Sequence, residues 1–429
     1  MSGKNPPATI AIRPRGPLDA RVRVPGSKSI TNRVAVCALL AQGRSRLSGA
    51  LESDDTRVMR AGIAALGAGV KVRGDEWSID GTGGALTTPA APLDVGNSGT
   101  TARFLTAVAT LAPDPTVIDG NARMRERPIS DLVHTLNTLG ARIEILGKNG
   151  CPPVRTHGGG LEGGNAEIDA RRSSQFVSAV LLAAPYARRD IRLTFKAETL
   201  VSRPYIELTL EVMRAFGAEA GWQNDNNLYV RAGLPYRGRD YTVEPDASAA
   251  AYPFAAAAIA GGRVRVEGFP PASIQADLAL LDVLTSMGCR VSRDANGIEV
   301  ARSPDQPLAP VDVDMNAMPD AVLALAVVAL FAEGTSRIRN VANLRIKESD
   351  RLLALETELR RLGARATATS DSLEIEPQPL HGATIATYDD HRMAMAFALT
   401  GLRVPGVEIK DPQCVTKTWP NYFAMLEQL

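Results

Sequence analysis

A pattern that recurs along the chain constrains its fold more than any other feature of the sequence. Five segments with apolar residues at helical spacing each end at a glycine, a residue typical of helix C-terminal caps. These glycines stand 71 to 77 residues apart and are Gly67, Gly140, Gly217, Gly288 and Gly363. Strand-like stretches follow them, for example residues 297–301 and 372–376. The spacing predicts a chain of similar supersecondary units, and residues 421–429 are predicted to be the sixth helix of the series.

A second series of segments repeats with the same period. Six alanine-rich apolar segments recur at intervals of 70 to 76 residues, beginning near Lys28, Ser98, Ser174, Asp246, Met318 and Asp390. A helix that is apolar on every face is normally buried, and each segment opens with small polar residues suited to N-capping. The sequence therefore predicts six units, each with two helices and several strands, which divide naturally into two domains of three. Chance spacing is the alternative, and eleven matches at one period argue against it.

The composition excludes several function classes. The chain has 429 residues, of which 45% are hydrophobic and 22% charged, as in ordinary soluble proteins. Its net charge of +1 does not indicate nucleic acid or a membrane surface as a partner. The longest apolar run, residues 321–332, is too short to span a bilayer and is predicted to be a buried helix. Four cysteines without a CxxC pair argue against zinc and disulfide frameworks and fit a reducing cytoplasm, and residues 1–14 lack the apolar core of a signal peptide.

Basic and hydroxyl side chains concentrate where the buried helices are predicted to begin. The four stretches are residues 26–33, 96–103, 172–175 and 389–392. Helix N-termini offer free N–H groups and partial positive charge, which suit phosphate and carboxylate. The first stretch is not a P-loop, because Ser27 rather than a glycine precedes Lys28. Simple capping explains any one of these stretches, but several in register with the repeat favour an anion-binding site.

Two further patterns place charges near predicted helix starts. Arg127, Arg203 and Lys417 each stand just upstream of a proline that is able to start a helix. Residues 345–351 contain three basic and two acidic side chains. The ordinary interpretation of such a run is a solvated face of self-paired charges.

In this order and with this spacing, the motifs resemble those of the 5-enolpyruvylshikimate-3-phosphate synthases, an enolpyruvyl transferase family. The resemblance extends over essentially the whole chain and is carried by residues 26–33, 96–103, 123–128, 173–175, 343–351, 390–392 and 411–420. It implies an α/β (α+β) fold of two similar lobes, each with three βαβαββ units and buried helices in an inside-out α/β barrel. It also implies an active-site cleft between the lobes, one formed by residues 24–242 and the other by residues 1–23 plus 243–429.

The same resemblance implies an activity. The enzyme would transfer the enolpyruvyl group of phosphoenolpyruvate to the 5-hydroxyl of shikimate 3-phosphate, releasing phosphate by addition and elimination through a tetrahedral intermediate. This reaction belongs to the shikimate pathway, which leads to chorismate and the aromatic amino acids. The implied partners are the two small-molecule substrates, without metal, redox cofactor, nucleic acid or membrane, and a cytoplasmic monomer is expected.

The resemblance also assigns roles to residues, motif by motif. Shikimate 3-phosphate would be bound by Lys28, Ser29, Arg33, Ser173, Ser174, Gln175, Ser202, Asp320, Asn343 and Lys347. Phosphoenolpyruvate would be bound by Lys28, Gly99, Arg127, Gln175, Arg351, Arg392 and Lys417. Asp320 is the candidate that takes the hydroxyl proton, with Lys28 as a partner, and Glu348 is the candidate that handles the proton at the methylene carbon. For Asp320 alone, a helix N-cap after Pro319 is the alternative. His391 is expected to hydrogen-bond in the site rather than to bind a metal.

Three positions depart from the common family pattern. Phe104 stands where many members have proline, and Ser98 and Thr101 stand where alanine is common. Gly99, which lies between Ser98 and Thr101, suggests that the enzyme is sensitive to the herbicide glyphosate, which resembles bound phosphoenolpyruvate. A tilt of the helix caused by Phe104 would leave the question of glyphosate sensitivity open.

Two other functions compete with this interpretation. The first is the UDP-N-acetylglucosamine enolpyruvyl transferase, which usually has asparagine where this chain has Ser29 and carries a reactive cysteine before the position of Arg127. Residues 104–150 contain no cysteine. The second is a binding module for phosphorylated RNA ends, which would favour an extended basic and aromatic surface. Aromatic residues make up only 5% of this chain.

Overall fold

A computed structural model describes residues 8–196 and 200–429 of the chain. Helices alternate with short strands throughout this part of the chain. The α-helices are α1 (Lys28–Leu40), α2 (Asp54–Ala65), α3 (Gly99–Val108), α4 (Ser130–Thr138), α5 (Ser174–Ala183), α6 (Arg203–Ala215), α7 (Ala247–Ala260), α8 (Leu280–Ser286), α9 (Val322–Ala329), α10 (Arg351–Arg361), α11 (His391–Thr400) and α12 (Tyr422–Leu426). No helix among these residues is long and apolar enough to cross a membrane.

The strands follow the same alternation. Those up to residue 224 are β1 (Thr9–Ala11), β2 (Leu18–Val22), β3 (Arg44–Ser48), β4 (Gly69–Arg73), β5 (Glu76–Asp80), β6 (Leu93–Asp94), β7 (Thr116–Asp119), β8 (Ile143–Ile145), β9 (Val154–Thr156), β10 (Gly164–Ile168), β11 (Ile191–Phe195) and β12 (Ala220–Asn224). The later strands are β13 (Asn227–Val230), β14 (Asp240–Thr242), β15 (Gly262–Glu267), β16 (Arg290–Asp294), β17 (Gly297–Arg302), β18 (Asp312–Asp314), β19 (Ser336–Arg339), β20 (Arg365–Ala368), β21 (Leu373–Glu376), β22 (Thr384–Ile385) and β23 (Glu408–Lys410). The predicted strands at residues 297–301 and 372–376 are β17 and β21.

These strands form six small mixed sheets within the described residues. Five sheets have four strands each, in the orders β14-β3-β5-β4, β6-β7-β9-β8, β10-β11-β13-β12, β16-β17-β15-β2 and β18-β19-β21-β20. Each contains one parallel pair, such as β10 with β11, and two antiparallel pairings, such as β11 with β13 and β13 with β12. In the sixth sheet, β22 and β23 are parallel and β1 joins them antiparallel. The six predicted units are therefore present as a mixed α/β architecture.

The glycines of the repeat end helices, as the sequence predicts. Each of the five follows one of α2, α4, α6, α8 and α10 and has a φ between 91° and 111°. At the end of α2, the Gly67 N–H donates to Ala64 O at 3.0 Å and the Ala68 N–H donates to Ile63 O at 3.1 Å. This pair of bonds is the Schellman cap, which requires the left-handed backbone that glycine adopts without strain.

The six alanine-rich segments form the buried helices α1, α3, α5, α7, α9 and α11. All 14 residues of α7 and all 10 of α3 are buried. Side chains cap five of these helices, the caps being Ser27, Ser98, Ser173, Asp246 and Asp390. The helix α9 differs, because the 3-10 turn Pro319–Ala321 leads into it and its first turn has no side-chain cap. The prediction that every segment opens with a capping residue is wrong at this position, and so is the alternative that Asp320 is a helix N-cap.

The chain divides into two compact units. One consists of the residues through Pro25 together with Glu244–Leu429, and the other of Gly26–Val243. Each unit has its own hydrophobic core, built around three of the buried helices. The apolar run at residues 321–332 contains α9, all of whose residues are buried, as predicted.

Candidate active site

The N-termini of three buried helices lie together in the unit Gly26–Val243. At the starts of α3 and α5, the Gln175 Nε2 group donates to Thr100 Oγ1 at 3.3 Å. About one turn further along, Arg33 of α1 donates to Ser178 Oγ of α5 at 3.3 Å. The three helices therefore begin at the same end of the unit, where their partial positive charges add.

Arg33 is held by the protein from several sides and is 2% exposed. Its guanidinium donates to Thr209 Oγ1 at 2.7 Å, Ser29 O at 2.9 Å, Tyr205 O at 3.0 Å and Ser178 Oγ at 3.3 Å. Burial lowers the pKa of Arg33 to about 10, so the side chain still carries its charge at neutral pH. The structure brings Arg33 and Ser29 together, and their binding of the shikimate ring carboxylate stays a prediction.

Gly99 leaves space for the Arg127 side chain. Arg127 follows the 3-10 turn Met124–Glu126 and is 4% exposed. Its Nη1 group donates to Asn97 O at 3.0 Å and to Asn97 Oδ1 at 3.2 Å. A Cβ atom added to Gly99 would lie 2.5 Å from Arg127 Nη2 and 3.1 Å from Arg103 Nη1. The two predicted phosphoenolpyruvate residues are thus neighbours, and the position of Arg127 depends on the missing side chain of Gly99.

Lys28 opens α1 beside a buried carboxylate. The Lys28 Nζ atom lies 3.2 Å from Asp55 Oδ2 of α2, and the two side chains are 13% and 5% exposed. An ammonium group that is nearly buried needs such a counter-charge. Asp55 orients the lysine. The sequence does not reveal this role, because an acidic residue after Ser53 in the first turn of a helix is ordinary.

The predicted phosphate-binding serines stand at the starts of two helices. Ser173 caps α5 by accepting a hydrogen bond from the Gln175 N–H at 3.2 Å, and Ser174 is the buried first residue of that helix. Ser202 directly precedes α6, is buried and has a φ of 56°. Left-handed backbone at a residue with a side chain is unfavourable and often accompanies a functional constraint.

In the other unit, three more buried helices begin next to one another. Arg392, the second residue of α11, donates from Nη2 to Ser248 Oγ at 2.9 Å, at the start of α7. The same group donates to Asp320 Oδ2 at 3.0 Å, directly before α9. Burial lowers the pKa of Arg392, but Asp320 and other nearby acidic groups raise it well above its ordinary value. Arg392 is therefore a permanent cation at the meeting point of the three helices.

Arg351 joins three carboxylates in a network that we call the Asp320 cluster, formed by Asp320, Glu348, Arg351, Asp390 and Arg392. Arg351 is 1% exposed and pairs through Nε with Asp390 Oδ2 at 2.8 Å. Its Nη1 lies 3.2 Å from Asp320 Oδ1, and its Nη2 lies 2.9 Å from Glu348 Oε2. Burial lowers the pKa of Arg351, but the three carboxylates raise it above its ordinary value. The cluster thus brings both predicted proton-transfer residues against two predicted phosphoenolpyruvate residues.

Three further predicted residues lie in segments that contain or adjoin members of the Asp320 cluster, in space or along the chain. Lys347 Nζ is 3.8 Å from Asp320 Oδ1. Asn343 is buried in the 3-10 turn Ala342–Ile346, and its Oδ1 atom has no hydrogen-bond donor within the described residues. Lys417 lies close enough to Asp389 to oppose the rise that burial causes in the pKa of that carboxyl. An unsatisfied buried carbonyl oxygen suits a ligand hydroxyl.

The structure overturns one interpretation of the charge run at residues 345–351. Glu348 and Arg351 do pair with each other, but both are nearly buried rather than solvated. The reason is tertiary, because Arg351 is enclosed by Asp320 and Asp390 from distant parts of the chain.

The residues that depart from the common family pattern, and His391, have defined structural surroundings. Phe104 is fully buried, with its ring centroid 5.4 Å from the Arg33 guanidinium carbon. Ser98 caps α3, and its hydroxyl lies 2.8 Å from that of Thr101. His391 is fully buried in the first turn of α11, with Nδ1 3.6 Å from Asp390 Oδ1. The three departures, Phe104, Ser98 and Thr101, thus support helices whose first turns carry predicted site residues.

Comparison with known proteins identifies the family. The profile of the EPSP synthase family, the 3-phosphoshikimate 1-carboxyvinyltransferases, matches residues 12–426. This chain belongs to the EPSP synthase family. The 3-phosphoshikimate 1-carboxyvinyltransferase of Methanoculleus marisnigri is 44% identical over 420 residues, which cover 97% of this chain and 98% of the relative. That of Nostoc punctiforme is 46% identical over 419 residues, covering 96% and 97%.

A solved structure agrees with this assignment. The EPSP synthase of Acinetobacter baumannii superimposes with a TM-score of 0.80 at 27% identity, and the match covers 97% of each chain. The family resemblance of the motifs is thereby confirmed, as is the mixed α/β fold of EPSP synthases. The protein is a 3-phosphoshikimate 1-carboxyvinyltransferase of the shikimate pathway, and this membership decides against the cell-wall transferase and the RNA-binding module.

Proposed function

We propose that the protein binds shikimate 3-phosphate and phosphoenolpyruvate together and transfers the enolpyruvyl group to the 5-hydroxyl, releasing phosphate. The observation that carries this proposal is the Asp320 cluster, where two acids that are able to move protons contact two buried arginines. Each substrate carries a phosphate and a carboxylate, so a shared site needs several cations. The attraction between one cation and one anion about 4 Å apart is about 4 kcal/mol at an effective dielectric of 20.

The binding roles follow the two groups of helix starts. The serines at the starts of α5 and α6 would bind the shikimate phosphate, a role that we also propose for Lys347. Ser29 and Arg33 would bind the ring carboxylate, and Asn343 would accept from a ring hydroxyl. Arg127, Arg351, Arg392, Lys417 and Lys28 would bind phosphoenolpyruvate, since arginine forks match carboxylate and phosphate in a bidentate way.

The chemistry requires two proton transfers. Asp320 would accept the proton of the attacking 5-hydroxyl, with Lys28 as its partner, while a proton is added to the methylene carbon of phosphoenolpyruvate. Glu348 would supply that proton, since the anions of bound substrate beside it favour its neutral form. Loss of phosphate from the tetrahedral intermediate then removes a proton from the methyl group and returns it to Glu348, while the proton held by Asp320 leaves with the phosphate. No step requires a metal or a redox cofactor.

We also propose that the protein acts in the cytoplasm as a monomer. The cysteines Cys37, Cys151, Cys289 and Cys414 are buried and free, which fits a reducing compartment.

The direct test is phosphate release from phosphoenolpyruvate, measured with shikimate 3-phosphate as the acceptor and in parallel with UDP-N-acetylglucosamine. We expect release with shikimate 3-phosphate alone. Release with the sugar nucleotide instead would contradict the assigned acceptor, and release with neither would contradict the proposed activity.

We expect Gly99→Ala to raise the KM for phosphoenolpyruvate by about 10- to 100-fold, because a Cβ atom 2.5 Å from Arg127 Nη2 displaces a guanidinium that makes charge-assisted hydrogen bonds. The KM for shikimate 3-phosphate should change much less. Steady-state kinetics with each substrate varied in turn measures both constants. Gly16→Ala is the control, because a Cβ atom there meets no other atom within 4 Å. Equal increases in both constants would show that the effect does not act through Arg127.

A further inference from the structure

Glu358, in the middle of α10, is a buried carboxylate that the reaction scheme does not use. Its side chain is fully buried, although glutamate is seldom found in a protein interior without a partner. One partner is Arg361, whose Nε lies 2.9 Å from Glu358 Oε2. Arg361 is 48% exposed, so this pair alone does not account for a carboxylate placed so deeply.

The other partners of Glu358 belong to the segment that precedes α11. The Ala386 N–H donates to Glu358 Oε2 at 3.2 Å, and the Tyr388 hydroxyl donates to Glu358 Oε1 at 2.8 Å. Burial and the hydrogen bond to Glu358 raise the pKa of Tyr388 to about 12, so the hydroxyl keeps its proton at neutral pH. Both carboxylate oxygens are therefore occupied by residues some 30 positions further along the chain.

The segment held by Glu358 has an unfavourable backbone. Tyr388 and Asp389 are consecutive residues with side chains, and both are left-handed, with φ values of 56° and 53°. Such conformations persist only where surrounding contacts enforce them. The turn is closed by the Asp390 N–H, which donates to Thr387 O at 2.9 Å. The conformation of residues 386–389 therefore sets where the next residues lie.

The next residues carry the anion-binding charges. Asp390 caps α11 by accepting from the Arg392 N–H at 3.0 Å and pairs with Arg351 at 2.8 Å. The Arg392 side chain reaches Asp320 at 3.0 Å. A change in the turn would move Asp390 and Arg392 together. Because Asp390 pairs with Arg351, it would displace both arginines assigned to phosphoenolpyruvate.

We propose that Glu358 is a positioning residue for phosphoenolpyruvate binding: it holds residues 386–389 in their left-handed conformation and so fixes Asp390 and Arg392. This inference rests on the proposed function, because it takes Arg392 and Arg351 as ligands of phosphoenolpyruvate. Glu358 itself does not contact a reacting group. Glu358 lies in α10, the helix that begins with Arg351. This one helix therefore determines the positions of both Arg351 and Arg392.

The test compares three variants by steady-state kinetics. For Glu358→Gln, we expect the KM for phosphoenolpyruvate to rise about tenfold, as for the loss of one hydrogen bond to a charged group, while the KM for shikimate 3-phosphate stays within about twofold. Tyr388→Phe removes one of the two bonds to the segment and is expected to give a smaller rise of the same selectivity. Glu356→Gln is the matched control, because Glu356 lies in the same helix and pairs only with Arg360 among the interactions observed, at 2.7 Å.

Hydrogen exchange supplies a readout that does not depend on activity. Amides of residues 386–392 should exchange faster in Glu358→Gln than in the wild type, and at the wild-type rate in Glu356→Gln. Unchanged exchange in Glu358→Gln would overturn the positioning role whatever the kinetics show. Faster exchange with equal rises in both KM values would overturn the link to phosphoenolpyruvate. A wild type that releases no phosphate would instead contradict the proposed function, and the exchange result would still decide whether Glu358 holds the turn.

Discussion

Glu348→Gln is expected to lower kcat for phosphate release by about 10²- to 10⁴-fold, the range typical of removing a general acid or base. Glutamine keeps the size of the side chain but has no acidic proton to deliver to the methylene carbon. The Glu348 side chain is 9% exposed and lies 2.9 Å from Arg351 Nη2, so the replacement stays within the Asp320 cluster. Because glutamine preserves the shape of the side chain, the KM for shikimate 3-phosphate should change little. The measurement is phosphate release at saturating concentrations of both substrates.

The control for this prediction is Glu374→Gln, the same substitution in an exposed pair. Glu374 lies 2.7 Å from Arg337 and is 48% exposed, so its loss should leave kcat unchanged. A Glu348→Gln variant with wild-type kcat would refute the proton-transfer role. A variant that loses activity only through a higher KM would show that Glu348 binds substrate without moving a proton.

Asp390→Ala is expected to destabilise the protein by about 3–5 kcal/mol, the range for removing one partner of a buried ion pair. Asp390 is fully buried and accepts hydrogen bonds from Arg351 at 2.8 Å, from the Ser349 hydroxyl at 3.0 Å and from the Arg392 N–H at 3.0 Å. Its removal takes the main counter-charge from a guanidinium that is 1% exposed, and it also removes the cap of α11. The measurement is urea unfolding followed by circular dichroism, with the midpoint and the slope compared.

Two companion variants locate the origin of that loss. Asp390→Asn keeps the shape and one acceptor oxygen, so its midpoint should fall between those of the wild type and the alanine variant. Asp19→Ala removes an exposed carboxylate 2.8 Å from Arg263 and should leave the midpoint unchanged. If Asp390→Ala unfolds at the wild-type midpoint, Asp320 and Glu348 are sufficient counter-charges for Arg351, and the cluster is not held by Asp390.

Much of the architecture follows from short stretches of sequence. The glycine that ends α2 or α10, the apolar run that becomes α9 and the serines that cap α1 and α5 each act over a few residues. Helical periodicity and caps depend on local backbone geometry, so their signals survive in the sequence alone. The repeat of these signals predicted six units, and six mixed sheets are present in the described residues.

The candidate site was predictable as a set of residues but not as a network. The motifs identified Asp320, Glu348, Arg351 and Arg392, and the structure places these four in contact. The motifs did not show that Asp390 anchors Arg351, or that Asp55 holds Lys28. A carboxylate before a helix has the same local signature whether it caps that helix, pairs with an arginine or does both.

The order of the units, the helix ends and the residue types at each buried helix start follow from the amino-acid sequence. Which side chains come into contact depends on the tertiary fold. Arg33 and Thr209 are 176 positions apart, and Arg392 and Asp320 are 72 apart, yet each pair is within hydrogen-bond distance. Burial then determines the interaction energy of each charge pair, since a pair in the interior interacts far more strongly than the same pair on a solvated helix face. That is why residues 345–351, which alone suggest a solvated charged surface, instead contribute two nearly buried partners to the Asp320 cluster.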